Sequence, residues 1–106
     1  MHILINHSIP IAISIAGEVV TMKFKGKVVI TLKPGVFDPQ GLTIKNALHT
    51  LAYREVEEVK TGKYFEIGIE SADLETAGKR LSEMCDQLLA NPVIEKYHFE
   101  IEPVLC

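Results

Sequence analysis

Tryptophan is absent from this 106-residue chain, and aromatic side chains of every kind amount to only 7%. That leaves little for stacking against nucleic-acid bases. A surplus of positive charge is missing too: 11 Lys and Arg stand against 14 Asp and Glu, for a formal net charge of -3. Phosphate neutralisation needs clustered cations, so nucleic acid is excluded as the expected partner. Cysteine is scarce, and Cys85 and Cys106 form neither a CxxC pair nor a zinc spacing with the four histidines. The apolar run at residues 9–16 is far short of the roughly 20 residues of a membrane span, so no membrane partner is expected. What remains is ordinary globular material, with 47% hydrophobic and 24% charged residues and a length suited to one domain.

Charge is also missing from one end. Every Lys and Arg lies at Lys23 or later, and Glu18 is the one charged side chain of residues 1–22. With Ser14 and Ala16 placed as in a small-x-small cleavage site, the run at 9–16 resembles a secretory signal, but only His2 and His7 precede it where Lys or Arg belongs. A better explanation is that residues 1–21 are a non-native extension or a misassigned start. Gly17-Glu18-Val19-Val20 can be encoded by a purine-rich run of the kind that precedes a bacterial start codon, and Met22 would be the true first residue. Residues 22–106 then form the single domain.

From Met22 the pattern is regular. Phe24, Val28, Ile30 and Leu32 alternate with Lys23, Lys25, Lys27, Thr31 and Lys33, which predicts a half-buried strand whose lysines are solvated and guard a sheet edge. Pro34-Gly35 ends it. Asp38 stands at an N-cap position with Pro39 at the first helical position, opening a helix to about Tyr53 with Ile44, Leu48 and Leu51 as its buried stripe. Strands are expected at residues 56–60 and 64–70, joined as a hairpin through Thr61-Gly62-Lys63. Ser71 or Asp73 caps a second helix bearing Leu74, Ala77, Leu81, Met84, Cys85, Leu88 and Leu89, stopped by Asn91-Pro92. A last strand spans residues 96–102, with Tyr97, Phe99 and Ile101 on one face. This order, βαββαβ, is that of an α+β ferredoxin-like sandwich, an antiparallel sheet with two helices on one face. The other face is expected to be partly apolar, with Val29, Tyr64, Gly68 and Tyr97, and to serve oligomerisation.

Candidate chemistry is thin. Cys85 lies in an apolar stripe and reads as a buried thiol, Cys106 as an exposed terminal one. His49 and His98 have no Ser, Cys or metal-ligand partner at a useful spacing. The turn at residues 34–41 opens a helix after a strand, where phosphates often bind, but it lacks the Gly-rich patterns, and Asp38 would repel an anion. Glu55, Glu57 and Glu58 read as a solvated acidic edge. No catalytic residue, cofactor site or metal site is expected.

Three blocks, in order along the chain, resemble the PurS family. They are Lys33-Pro34-Gly35-Val36 with Asp38-Pro39-Gln40-Gly41 and Ala47-Leu48-His49; Gly62-Lys63-Tyr64; and Met84-Cys85 followed by residues 88–95. The resemblance implies the small subunit of phosphoribosylformylglycinamidine synthase, a cytoplasmic, glutamine-dependent ligase complex of purine biosynthesis. It implies two unlike partners: a PurQ-type glutaminase that releases ammonia, and a PurL-type synthetase that uses ATP and magnesium. This chain would bridge them and assist ammonia transfer, itself forming a homodimer or a dimer of dimers. Lys33, Pro34, Gly35, Asp38, Pro39, Gly41, Gly62, Lys63, Asn91 and Pro92 are the candidates for partner contacts, or for structural turns at the same positions. Two rivals share the topology. One is a dimeric module sensing a small effector; the other is an RNA-binding sheet, which the outward Val29 and Thr31 and the negative charge disfavour.

Overall fold

The computed structural model describes residues 3–5, 14–15, 18–19 and 21–105; for the first three short segments it describes the backbone alone. Three of its strands form the body of the sheet. β4 (Met22–Leu32) lies in the middle, antiparallel to both β5 (Gly62–Ser71) and β6 (Glu95–Pro103). Two short N-terminal elements add to this. β1 (Ile3–Ile5) runs parallel to β6, placing Ile3 opposite Phe99, and β2 (Ser14–Ile15) pairs with β3 (Glu18–Val19) in a separate ladder. His2, His7 and Ala16 lie outside the described residues.

Alternation along β4 makes one face of the sheet. Phe24, Val28 and Ile30 point to the same side as Ile69 of β5 and as Phe99 and Ile101 of β6, and all are buried. Helix α2 (Leu74–Met84) closes that side with Ala77 and Leu81. The fit is close at Gly26, where a Cβ would come within 2.5 Å of Leu81 Cδ2. Asp73 caps α2 by accepting the Thr76 N–H at 2.7 Å, while Ser71 ends β5. The helix then runs without a break into a π-helical turn, Cys85–Leu89, in which Ala90 N–H bonds back to Cys85 O at 3.0 Å. This wider turn rotates the apolar stripe: Cys85 stays buried, but Leu88, expected in the core, is 82% exposed.

The opposite face carries ion pairs beside the apolar positions expected there. β4 is the central strand, not an edge, and its lysines are answered across the sheet: Lys25 pairs with Glu66 at 3.4 Å and Lys27 with Glu102 at 3.4 Å. Val29, Tyr64 and Gly68 do lie on that face. Tyr97 does not; it sits under α2, stacked on Phe99, with its hydroxyl donating to Asp86 Oδ1 at 2.7 Å.

The larger departure is between β4 and β5. Helix α1 (Pro39–Thr50) forms as expected, yet no residue of it joins the core, and Ile44 and Leu51 are exposed where a buried stripe was expected. The strand expected at residues 56–60 does not form, so Thr61-Gly62-Lys63 is no hairpin. Its two valines are spaced by three, which suits no sheet face. The segment instead runs back along α1, and the helix ends satisfy its polar groups: His49 Nε2 donates to Val56 O at 2.7 Å, and Asp38 accepts the Thr61 N–H at 2.7 Å. Residues 34–61 therefore form an arm beside the sheet, not a layer of it. The radius of gyration of the whole chain is 18.6 Å, against the ~13 Å of a compact chain of this length. The α+β class holds: a three-strand antiparallel body with two helices, only one of which lies on it.

Candidate functional site

The ten candidate residues converge on one end of the sheet, where β4 leaves and β5 and β6 begin. Register puts Thr31 opposite Gly62 and Leu32 opposite Glu95, so residues remote in sequence become neighbours there. They fall into two groups.

The first is the base of the arm. Lys33 to Val36 is a type II turn: Pro34 fixes the first corner, Gly35 takes φ 85°, and Val36 N–H bonds to Lys33 O at 3.2 Å. Asp38 follows as N-cap of α1, with Pro39 at the first helical position. Oδ1 of Asp38 accepts the Gly41 N–H at 2.8 Å, and Oδ2 accepts the Thr61 N–H; the Thr61 hydroxyl lies 3.0 Å from each oxygen. These bonds, led by that from Thr61, hold the Asp38 carboxyl below its ordinary pKa. Gly41 is required by contact, since a Cβ there would lie 2.1 Å from Val59 O. Gly62 is required in the same way by Ile30 O at 2.4 Å. Asp38 thus joins both ends of the arm, a role that its cap position alone did not reveal. The turn, the start of α1 and residues 57–61 enclose a cavity of about 280 Å³.

The second group is built around Glu95. Its Oε1 accepts the Asn91 N–H at 2.7 Å and its Oε2 pairs with Lys63 Nζ at 3.3 Å. The Asn91 bond first, and Lys63 after it, keep the Glu95 carboxyl below its ordinary pKa. Asn91 Oδ1 accepts the Val93 N–H at 3.0 Å, the local bond that makes asparagine a turn residue. Lys33 holds the same turn from the other side, donating from Nζ to Pro92 O at 2.6 Å and from its backbone N–H to Ile94 O at 2.8 Å. Glu95 and Thr61 were not among the sequence candidates. Nothing in a single sequence signals a Glu–Lys pair 32 positions apart; only the strand register creates it.

These groups position chain segments; they do not assemble reactive chemistry. Burial pushes the Cys85 thiol up to about 11, so it stays protonated and unreactive near neutrality. His49 is engaged with a backbone carbonyl, and His98 lies on the charged face of the sheet. Among the described residues, no group of three or more His, Cys, Asp or Glu side chains is placed to hold a metal ion, and no helix is long and apolar enough to cross a membrane.

Known proteins match this arrangement over most of its length. The family model PurS, phosphoribosylformylglycinamidine (FGAM) synthase, matches residues 25–103. The PurS subunit of that synthase from Bacillus subtilis is 46% identical over 83 residues, which span 78% of this chain and 98% of the relative. The crystal structure of PurS from Methanocaldococcus jannaschii superposes with a TM-score of 0.70 at 41% identity, covering 77% of this chain and 99% of that one. A chain of PurLQS from Thermotoga maritima superposes with a TM-score of 0.69 at 28% identity, over 77% of this chain and 98% of that one. Matched by the family model over residues 25–103 and by relatives over most of its length, the chain belongs to the PurS family, subunits of the ligase phosphoribosylformylglycinamidine synthase.

Proposed function

We propose that this chain is the non-catalytic small subunit of a cytoplasmic phosphoribosylformylglycinamidine synthase, joining a glutaminase to an ATP- and magnesium-using synthetase and helping ammonia pass between them. The likeness to the chain of PurLQS from Thermotoga maritima carries this reading. The chemistry is glutamine-driven amination: the glutaminase frees ammonia, the synthetase activates the amide oxygen of the ribonucleotide with ATP, and ammonia displaces that oxygen to give the amidine. Ammonia attacks as the neutral base, so it must be kept from protonation by bulk water on the way. A subunit serving that step contributes shape and ordered turns, and binds no cofactor itself.

The same reading includes self-association. Helix α1 leaves Leu42, Ile44 and Leu51 exposed. The chain's accessible surface is 7654 Å² at 11.8 kDa, against about 5,900 Å² for a compact monomer of that mass. The excess on one chain is about twice the roughly 800 Å² that each partner contributes to a standard interface, which leaves room for a homodimer or a dimer of dimers.

The test is reconstitution of the synthase from its glutaminase and synthetase subunits, with and without this chain, fed glutamine or excess ammonium. A requirement for the chain with glutamine that weakens with ammonium is the expected result. Equal glutamine-driven turnover without it would exclude the bridging role and favour an effector-sensing module.

A further inference from the structure

Resting on the self-association part of that reading, we propose that β1 is a built-in competitor for the edge of β6, an edge complementary to itself that fits β6 of a second copy. On one side β6 pairs with β4 from Glu95 to Pro103. On the other it meets β1 alone, at Phe99, Glu100 and Ile101. Among the described residues, no strand lies beside the rest of that edge. Such an edge presents N–H and C=O groups ready to pair with another chain. β1 itself lies outside residues 25–103, the part matched by the family model.

The complementarity lies in the residue order of β6. Two copies related by a two-fold axis pair antiparallel, so residues equally far from the centre face each other. With Phe99 at the centre, Lys96 faces Glu102 of the second copy and His98 faces its Glu100, each twice by symmetry. All four lie on the face opposite the core, in register with Thr31, Lys25, Val29 and Lys27 of β4. On the core face Tyr97 meets Ile101 of the second copy, an aromatic against a β-branched side chain. Lys96 is exposed, and its neighbour across the sheet in its own chain is Thr31, not an acid. Other centres fit worse: one at His98 sets two histidines together, and one at Glu100 sets two glutamates together.

β1 sits on the middle of this register. The N–H and C=O groups that residues 99–101 turn to that edge can serve β1 or a second β6, not both. β1 pairs over three residues, fewer than the span 96–102 that a second copy offers, so it is the weaker ladder. It belongs to the same chain, however, and competes at a high effective concentration, whereas the second copy competes at its bulk concentration. Dilute protein therefore keeps β1 in place, and concentrated protein exchanges it.

The experiment is sedimentation of the whole chain over a concentration series, with circular dichroism melts of each variant in parallel. Leu4→Pro/Ile5→Pro removes a ladder N–H from β1 whichever of the two faces β6. It should lower the Kd of self-association about tenfold, the share of one hydrogen-bonded contact. Lys96→Glu sets glutamate against Glu102 of the second copy, and Glu102→Lys sets lysine against its Lys96. Each should raise the Kd about tenfold, since two positions turn repulsive by symmetry. Mixed in equal amounts, the two charge variants face each other with opposite signs and should associate as tightly as wild type. An unchanged Kd in Leu4→Pro/Ile5→Pro overturns the role of β1, and a mixture no tighter than its components overturns the β6 pairing. If the proline variant fails to fold, hydrogen exchange of wild type decides: amides of Ile3–Ile5 should lose protection as concentration rises, and constant protection overturns the proposal. A chain that stays monomeric at every concentration overturns the self-association reading itself. Self-association that none of these changes alters overturns the proposal alone, so the two failures are distinguishable.

Discussion

The two helices have nearly the same length and opposite fates. α2 buries Ala77 and Leu81 against the sheet, with Leu81 0% exposed, whereas α1 contributes nothing to the core and leaves Leu51 67% exposed. The difference is not in capping, because each starts with an aspartate that accepts a backbone N–H within its first turn. It lies in what each helix rests on. α2 has a sheet face to cover; α1 has its own returning segment, held by Asp38 at one end and His49 at the other. Local hydrogen bonds are enough to shape the arm, but apolar burial is what stabilises the body of the protein.

The strongest way to break that contrast is to truncate one leucine in each region. Leu81→Ala should cost about 2–5 kcal/mol in urea unfolding, as for a fully buried leucine. Leu51→Ala should stay within about 0.5 kcal/mol when the isolated chain is dilute. A cost for Leu51→Ala that grows with protein concentration would show a second copy packing on the arm.

Gly41→Ala comes next. Its Cβ would collide with Val59 O, and overpacking of this kind costs about 1–3 kcal/mol. Amide hydrogen exchange should speed up in α1 and residues 56–61 while β4 keeps its protection. Loss of protection across the whole sheet would mean that arm and body unfold as one unit.

An opposite change tests the far end of the arm. Ala52 sits at φ 77°, past the C-terminus of α1, where Tyr53 N–H bonds to Leu48 O at 2.9 Å and Ala52 N–H to His49 O at 3.0 Å. This is a Schellman ending with alanine where glycine is favoured. Ala52→Gly should therefore stabilise the arm by about 1 kcal/mol, the left-handed penalty of a residue with a Cβ. Slower exchange at Tyr53 would confirm it, and no change would mean that the strain is relieved elsewhere.

The smallest expected effect is that of acid. Asp38 and Asp73 both have folded pKa values below the ordinary one, Asp38 through Thr61 and Gly41, Asp73 through Thr76. For a depressed carboxylate, the added stability is complete above its unfolded pKa of about 4 and is lost as pH falls through the folded value. Melting temperatures between pH 6 and pH 3 should therefore decline, and Asp38→Asn should flatten part of that decline. Hydrogen exchange over the same range should show α1 loosening before α2, since only Asp38 ties together two segments distant in sequence.

Much of this was legible in the residue order. The alternation of β4, the Asp38-Pro39 start of α1, the stripe of α2 and the Asn91-Pro92 stop are local patterns, and each element formed where its pattern lay. The errors came from inferring partners. Residues 56–60 read as one arm of a hairpin through Thr61-Gly62-Lys63, yet they pair with no strand, and the ends of α1 take their polar groups instead. Leu88 fitted a regular helical stripe and was turned out by one wide turn.

The sequence by itself determined the three long strands, the two helices with their aspartate caps, the Pro34-Gly35 turn and the family, because these depend on residues within a few positions of one another. Only the tertiary structure decided that β4 is central, that one helix is left off the sheet, and that Lys33, Lys63, Asn91 and Glu95 meet at one end. Those outcomes depend on strand register and on burial between segments tens of residues apart, and neither is written in any local pattern.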